Sequence, residues 1–249
     1  MKKGQTTRDA ILDDAVQVAS RVGFAGLTIG VLADRAGLSK SGLFAHFGSK
    51  EDLQLATLEH ARQRFVDIVV TPSLKSPSGE ARLRAFFQNW RNWNDAELNG
   101  GCVFMAAAVE FDDQPGPVRE ALVSSEREWL GLLASVTRSV VAKGEFRDDL
   151  DVDQFVFEFH GLMLAHHHAS RLLLSQAAAD ERTSVALNRL FADAQSAAVK
   201  GMNTKRQRLR APASGSLVDS SSCRRPGMSA SVNCSITSSV CARGLFTMS

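Results

Sequence analysis

The chain has no tyrosine, only six prolines and four cysteines, and no apolar run that reaches the roughly 18 residues of a membrane span. Its first residues, MKKGQTTRDAILDD, lack the apolar centre of a signal peptide, so a cytoplasmic protein without a membrane partner is expected. Cys102 stands alone in the body of the chain, and Cys223, Cys234 and Cys241 show no metal-ligand spacing, which leaves no basis for a disulfide framework. There is no GxSxG, no glycine-rich phosphate loop and no pair of carboxylates in an apolar setting. Cys102 is the one candidate nucleophile before residue 200, and no histidine lies near it in sequence. An enzyme is therefore not expected, and no cofactor or metal is assigned. No stretch sustains the alternation of a strand, so the expected fold class is all-α.

What is present is a long chain with an uneven charge. At 249 residues, 44% of them hydrophobic and 22% charged, it can bury a sizeable core. Residues 200–249 hold eight Lys or Arg and one acid, Asp219, which leaves residues 1–199 with 21 basic and 26 acidic groups. Within that acidic body, residues 1–50 carry seven basic and four acidic side chains. A basic head on an acidic body suits nucleic acid at one end only.

The stretch from Leu27 to Leu53, LTIGVLADRAGLSKSGLFAHFGSKEDL, explains that head. Ile29, Leu32 and Ala33 fall on one face of a short helix that breaks at Gly37-Leu38-Ser39, and a second short helix runs through Phe47. Thr28 and Ser39 suit the two N-caps, Gly37 suits a turn that needs positive φ, and Leu38 suits an apolar plug between crossed helices. This is a helix-turn-helix pattern. Its second helix exposes Ser39, Lys40, Ser41 and Gly42 at the N-terminal end, which in this motif meets base edges in the major groove.

The run LFAHFGSKEDL, residues 43–53, with the 28–39 run before it, resembles the DNA-binding head of TetR-type transcriptional regulators. The resemblance is specific over about the first 60 residues and architectural beyond them. It implies a homodimer that binds double-stranded operator DNA and responds to a small-molecule effector, most often as a repressor. Phe44 stands where an aromatic with a hydroxyl is usual, and Ala45 where a larger contact residue is common. Phosphate contacts are thus expected from Thr28, Lys40, His46 and Lys50, with Ser39, Ser41 and Gly42 near the bases.

The expected organisation is a head over residues 1–50, a helical ligand-binding and dimerisation domain over 51–199, and a basic, Ser-rich, disordered tail over 200–249. Helices are expected over 5–22, from Ser49 to about Val70 with Thr71-Pro72 as the stop, and over 80–98, 102–111, 117–142, 152–179 and 182–199. Residues 71–79 read as a loop. The body is rich in large apolar groups, and Phe86, Trp90, Trp93, Phe104, Met105, Trp129 and Met163 are candidate pocket residues. His160, His166, His167 and His168 have no acid or cysteine at i+3 or i+4 and no HExxH pattern, so His160 is read as a polar contact to the effector rather than a metal ligand. Phe157, Leu162, Ala165, Ala169 and Leu172, with Leu187, Leu190, Phe191 and Ala194, are the candidate dimer face on the last two helices. A DNA-binding protein without sequence preference, working through the tail, is the alternative reading.

Overall fold

The structure, a computed structural model, describes residues 2–195. The tail over 200–249, and its expected disorder, lie outside the described residues. Every described element is a helix, and no strand occurs among the described residues.

Three helices form the head: α1 (Lys2–Gly26), α2 (Ile29–Ala36) and α3 (Lys40–Phe47). Ile11, Leu12, Ala15, Leu27, Leu32, Ala33, Leu43 and Phe47 are buried, so α1 supports the α2–α3 pair through one apolar stripe. The path of α1 breaks at Gly23 (φ 74°, ψ 172°), and an added Cβ there would lie 1.6 Å from Glu110 Oε1. Val22, spaced with that stripe, is exposed because the chain has begun to turn away.

Helix α4 (Lys50–Phe65) starts at the Ser49 cap and leads out of the head. Pro72 does not stop it. A π-helical turn, Val66–Val70, takes the chain into α5 (Thr71–Lys75), with the Thr71 N–H donating to the Val66 carbonyl. Pro72 thereby falls in the first turn of α5, directly after the π turn that shifts the hydrogen-bond register. The expected loop is thus shortened to residues 76–79.

The body continues through α6 (Glu80–Asn92), a π turn at Trp93–Glu97, α7 (Val103–Phe111), α8 (Pro117–Ala142), α9 (Val152–His168), a π turn at Ala169–Leu173 and α10 (Gln176–Gln195). The break before α10 comes at Leu174 and Ser175, not near residue 180: Leu174 is extended, and Ser175 Oγ accepts from the Ala178 N–H at 3.4 Å. Phe87, Phe146, Phe155, Phe159 and Phe191 form a chain of ring contacts with centroids 5.3 to 6.3 Å apart, joining α6, the α8–α9 connection, α9 and α10. Four of these contacts are edge-to-face and Phe155–Phe159 is stacked, arrangements that add to the gain from the area buried.

Candidate functional site

The helix-turn-helix is built by its caps. Thr28 is extended and its Oγ1 accepts from the Val31 N–H at 3.2 Å, Gly37 is left-handed (φ 63°, ψ 29°), and Ser39 Oγ accepts from the Gly42 N–H at 3.1 Å. Leu38 is not a buried plug. It is 37% exposed, and the angle between the helices is filled by Leu32, Ala33, Leu43 and Phe47. On α3, Lys40, Ser41, Gly42, Phe44, Ala45 and His46 all face solvent. The Ser39 and Ser41 hydroxyls share a 3.2 Å hydrogen bond, which fixes their spacing at the helix tip.

Lys50 has a different partner from the phosphate expected for it. Its Nζ donates to the Ala25 carbonyl at 2.8 Å, at the C-terminal end of α1, where a cation complements the helix dipole. At the neighbouring cap, Ser49 Oγ accepts from the Asp52 N–H and donates to Asp52 Oδ2 at 2.6 Å, so the Asp52 carboxylate closes on the hydroxyl rather than on the backbone of Ser49.

The head is tied to the body at α1. Gln17 brackets the 97–99 loop, donating to the Glu97 carbonyl at 2.8 Å and accepting from the Asn99 N–H at 3.1 Å, while the Gly100 N–H donates to Ser20 Oγ at 3.1 Å. Glu110 of α7 accepts from the Ala25 N–H at 2.8 Å, and Gln54 of α4 donates to the Phe24 carbonyl at 2.8 Å. The end of α1 is thus hydrogen-bonded to both α4 and α7.

Between α4, α7, α8 and α9 lies a pocket whose space, open mouth and adjoining solvent included, is about 440 Å³. Trp90, Phe104, Met105, Trp129 and His160 line it, as the sequence reading supposed. Phe86, Trp93 and Met163 do not. They are fully buried behind it, with Trp93 and Phe86 backing the lining rings of Phe65 and Trp129 at 5.6 Å. Arg62, Phe65, Cys102, Ser125 and Glu126 complete the lining and were missed. Two of them carry a sequence signal: Glu126 interrupts the apolar stripe Leu122, Trp129, Leu133 of α8, and Arg62 interrupts Leu58, Phe65 of α4. Burial raises the Glu126 carboxyl above the usual carboxylate range and lowers His160, while the buried Cys102 thiol is pushed up to about 11 and stays protonated.

Comparison with known proteins identifies the chain at both ends of this arrangement. Residues 11–57 match the family described as bacterial regulatory proteins, tetR family, and residues 79–186 match the tetracyclin repressor-like C-terminal domain. The HTH-type transcriptional repressor NicS of Pseudomonas putida is 30% identical over 154 residues, covering 60% of this chain and 70% of that protein. The chain belongs to the TetR family of transcriptional regulators. The HTH-type transcriptional regulator SrpR of Pseudomonas putida is 24% identical over 65% of this chain and 73% of its own length. Among solved structures, a TetR transcriptional regulator from Chloroflexus aurantiacus superposes with a TM-score of 0.69 at 27% identity, covering 77% of this chain and 96% of that one. AibR, solved in complex with isovaleryl coenzyme A and operator DNA, has a TM-score of 0.58 at 19% identity over 72% of this chain and 97% of its own, a likeness of fold. No described helix of this TetR-family protein is long and apolar enough to cross a membrane.

Around the ligand-binding body, two further groups of residues differ from their sequence reading. His166 is buried and joined to polar groups of other elements: Nδ1 meets the Thr183 hydroxyl at 3.0 Å, and Nε2 meets Asp95 Oδ2 at 3.2 Å. Asp95, His166 and Asp180 bring three potential ligand atoms within 4.8 Å of one another, a cluster that spacing within α9 does not show. Their oxygens are already engaged, with Gln176 donating to Asp95 at 2.8 Å and Arg91 to Asp180 at 2.6 Å, so the group is built as a hydrogen-bonded ion-pair network. Burial opposes the Asp95 charge, but the hydrogen bonds from His166 and Asn94 prevail and hold its carboxyl below the ordinary range.

The supposed dimer face divides in two. Leu187, Leu190, Phe191 and Ala194 point into the protein's own core, where Phe191 packs on Phe146 and Phe155, so they are unavailable to a partner. Leu162 and Ala169 are half-buried. Phe157 (74% exposed), Ala165 and Leu172 (71% exposed) do lie outward, with Leu164 beside them and Val185 exposed on α10. The reason is helical phase: positions 187, 190, 191 and 194 are one face of α10, and that face is used by α6 and α9.

Proposed function

We propose that the protein is a homodimeric repressor that holds a pseudo-palindromic operator with α3 of each protomer and leaves it when a small molecule fills the α4–α9 pocket. The observation that carries this reading is the exposure of every non-core side chain on α3, Ser39 to His46, while Leu43 and Phe47 anchor the helix from behind. Thr28, Lys40 and His46 are the phosphate contacts in this reading, Ser39 and Ser41 approach base edges, Gly42 admits the backbone closely, and Phe44 (55% exposed) offers an apolar contact to a thymine methyl. Lys50 acts indirectly, by fixing α4 to the end of α1. The outward stripe Phe157, Leu164, Ala165, Leu172, with Val185, is the apolar surface for the second protomer, and dimerisation sets two copies of α3 about 34 to 36 Å apart. AibR, solved with operator DNA, gives a precedent of the same fold for the DNA-binding part of this reading.

Release needs a ligand whose affinity differs between two head spacings. Arg62 and Phe65 of α4 line the pocket, and Gln54 and Lys50 of the same helix hold the end of α1, so filling the pocket acts on the head through one rigid element.

The test is binding of the full chain to DNA from immediately upstream of its own gene, against scrambled DNA of equal length, over a salt series. A preference for the upstream fragment is expected. Lys40→Ala is expected to weaken binding about tenfold and to reduce the salt slope by about two per dimer, one phosphate contact per protomer. Equal affinity for both fragments, with the salt slope unaltered by Lys40→Ala, overturns the reading in favour of binding without sequence preference. A chain ending at residue 195 then reports whether Lys205, Arg206, Arg208 and Arg210 supply it.

A further inference from the structure

The pocket contains one charge without a counterpart. Glu126 projects from the apolar face of α8, and the one ion pair it makes among the described residues is with His160 Nε2, 3.9 Å away and beyond hydrogen-bond distance. His160 does not neutralise it, since burial favours the uncharged imidazole. Arg62 reaches the same pocket, but its Nε and Nη2 each donate to Glu59 at 2.8 Å and its Nη1 lies 3.8 Å from Glu128. Its charge is matched twice over at the mouth. Cys102 remains a neutral thiol. Counting Glu59, Glu128, Glu126 and Arg62, the pocket and its mouth are acidic.

The walls are aromatic. Phe65 packs edge-on against Trp129 at 5.1 Å and against Phe104 at 5.7 Å, and Trp90 completes the lining. Aromatic faces attract a cation through the negative face of the ring, and the attraction grows when water is excluded. A carboxylate without a counter-ion, set among such rings, is complementary to a positive ligand.

We infer that the effector of this pocket is an aromatic or benzylic organic cation, an amine or quaternary ammonium whose charge lies against Glu126 and whose apolar part packs among Phe65, Trp90, Phe104 and Trp129. This rests on the pocket being the effector site. An anionic effector would have to displace Glu59 from Arg62 and face Glu126 unscreened. Because the cation needs Glu126 ionised and the empty pocket disfavours that charge, binding is linked to proton release. Affinity for a permanent cation falls as pH drops through the raised Glu126 range, by about tenfold per pH unit once the carboxyl is protonated.

Three probes sharing a phenyl ring test this on the full-length protein, followed by the intrinsic fluorescence of its three tryptophans, Trp90, Trp93 and Trp129, and by competition: benzyltrimethylammonium, its neutral carbon isostere neopentylbenzene, and 3-phenylpropionate. The expected result is at least tenfold tighter binding of benzyltrimethylammonium than of neopentylbenzene, with the pH dependence confined to the cation. Glu126→Gln should bring the ratio close to one while leaving neopentylbenzene affinity unchanged, which also shows that the variant is folded. Equal binding of cation and isostere, or tightest binding of 3-phenylpropionate, overturns the cation assignment while leaving the effector pocket intact. Failure of all three to bind overturns both.

Discussion

Gly100→Ala is expected to lower the free energy of unfolding by about 3 kcal/mol or more, although it adds a single methyl group. A Cβ at residue 100 would sit 1.8 Å from the Ser20 carbonyl oxygen and 2.1 Å from its carbon. Both obstructing atoms are backbone of α1, in the turn before its break at Gly23, so no rotamer change relieves the contact. The structure can accommodate it only by lifting α1 from the 97–100 loop. That would break the Gly100 N–H bond to Ser20 Oγ and the two Gln17 bonds to Glu97 and Asn99, each worth roughly 1 kcal/mol. Chemical denaturation followed by circular dichroism measures the loss. A change of less than about 1 kcal/mol would mean that the head is not docked on this loop. Gly131 is the control: nothing lies within 4 Å of an added Cβ there, and alanine at that exposed helical site should be neutral or stabilising.

Two phenylalanines on α9 should give opposite outcomes. Phe159 is fully buried and meets the rings of Phe87, Phe155 and Phe191 at 5.5, 6.0 and 6.3 Å, so Phe159→Ala is expected to cost about 3 to 5 kcal/mol of stability. Phe157, two residues earlier, points the other way and is 74% exposed. Phe157→Ala should leave the stability of the separated protomer nearly unchanged, because no core contact is lost. It should instead weaken self-association, read by analytical ultracentrifugation, and operator affinity should fall with it at low protein concentration. A Phe157→Ala protein that remains dimeric at nanomolar concentration would move the interface away from this stripe.

The contrast between those two residues also marks how far patterning reaches. The head was legible because its signals are local. Thr28 and Ser39 cap helices that begin one residue later, Gly37 takes a left-handed turn, and Leu43 and Phe47 are four apart on α3, so a single helical face accounts for them. Capping, turn chemistry and amphipathic spacing act over a few residues, and the sequence order carries them completely. The same is true of the all-α class and of Pro117 at the start of α8.

The body was legible only in its composition. That aromatics fill it could be read off the chain; that Trp93 and Phe86 back the pocket while Phe65 and Glu126 face it depends on how α4, α6, α7 and α8 are rotated against each other. The α10 residues show the same limit. Leu187, Leu190, Phe191 and Ala194 form an apolar stripe that fits a partner protomer or the protein's own α9 equally well, and periodicity does not distinguish the two.

The carbonyl partner of Lys50 and the accommodation of Pro72 escape sequence patterning for related reasons. The partner of Lys50 is a carbonyl 25 residues earlier, and Pro72 is accommodated because a π turn shifts the hydrogen-bond register just before it. The sequence by itself determined the helical class, the caps and turn of the head, and the exposed tip of α3, since each follows from neighbours along one helix. Tertiary structure alone decided the joining of Asp95, Asp180 and His166, the docking of Gly100 on Ser20, and the isolation of Glu126 among aromatic rings. Those depend on which faces of separate helices meet, and that choice is made by the packing of the whole core.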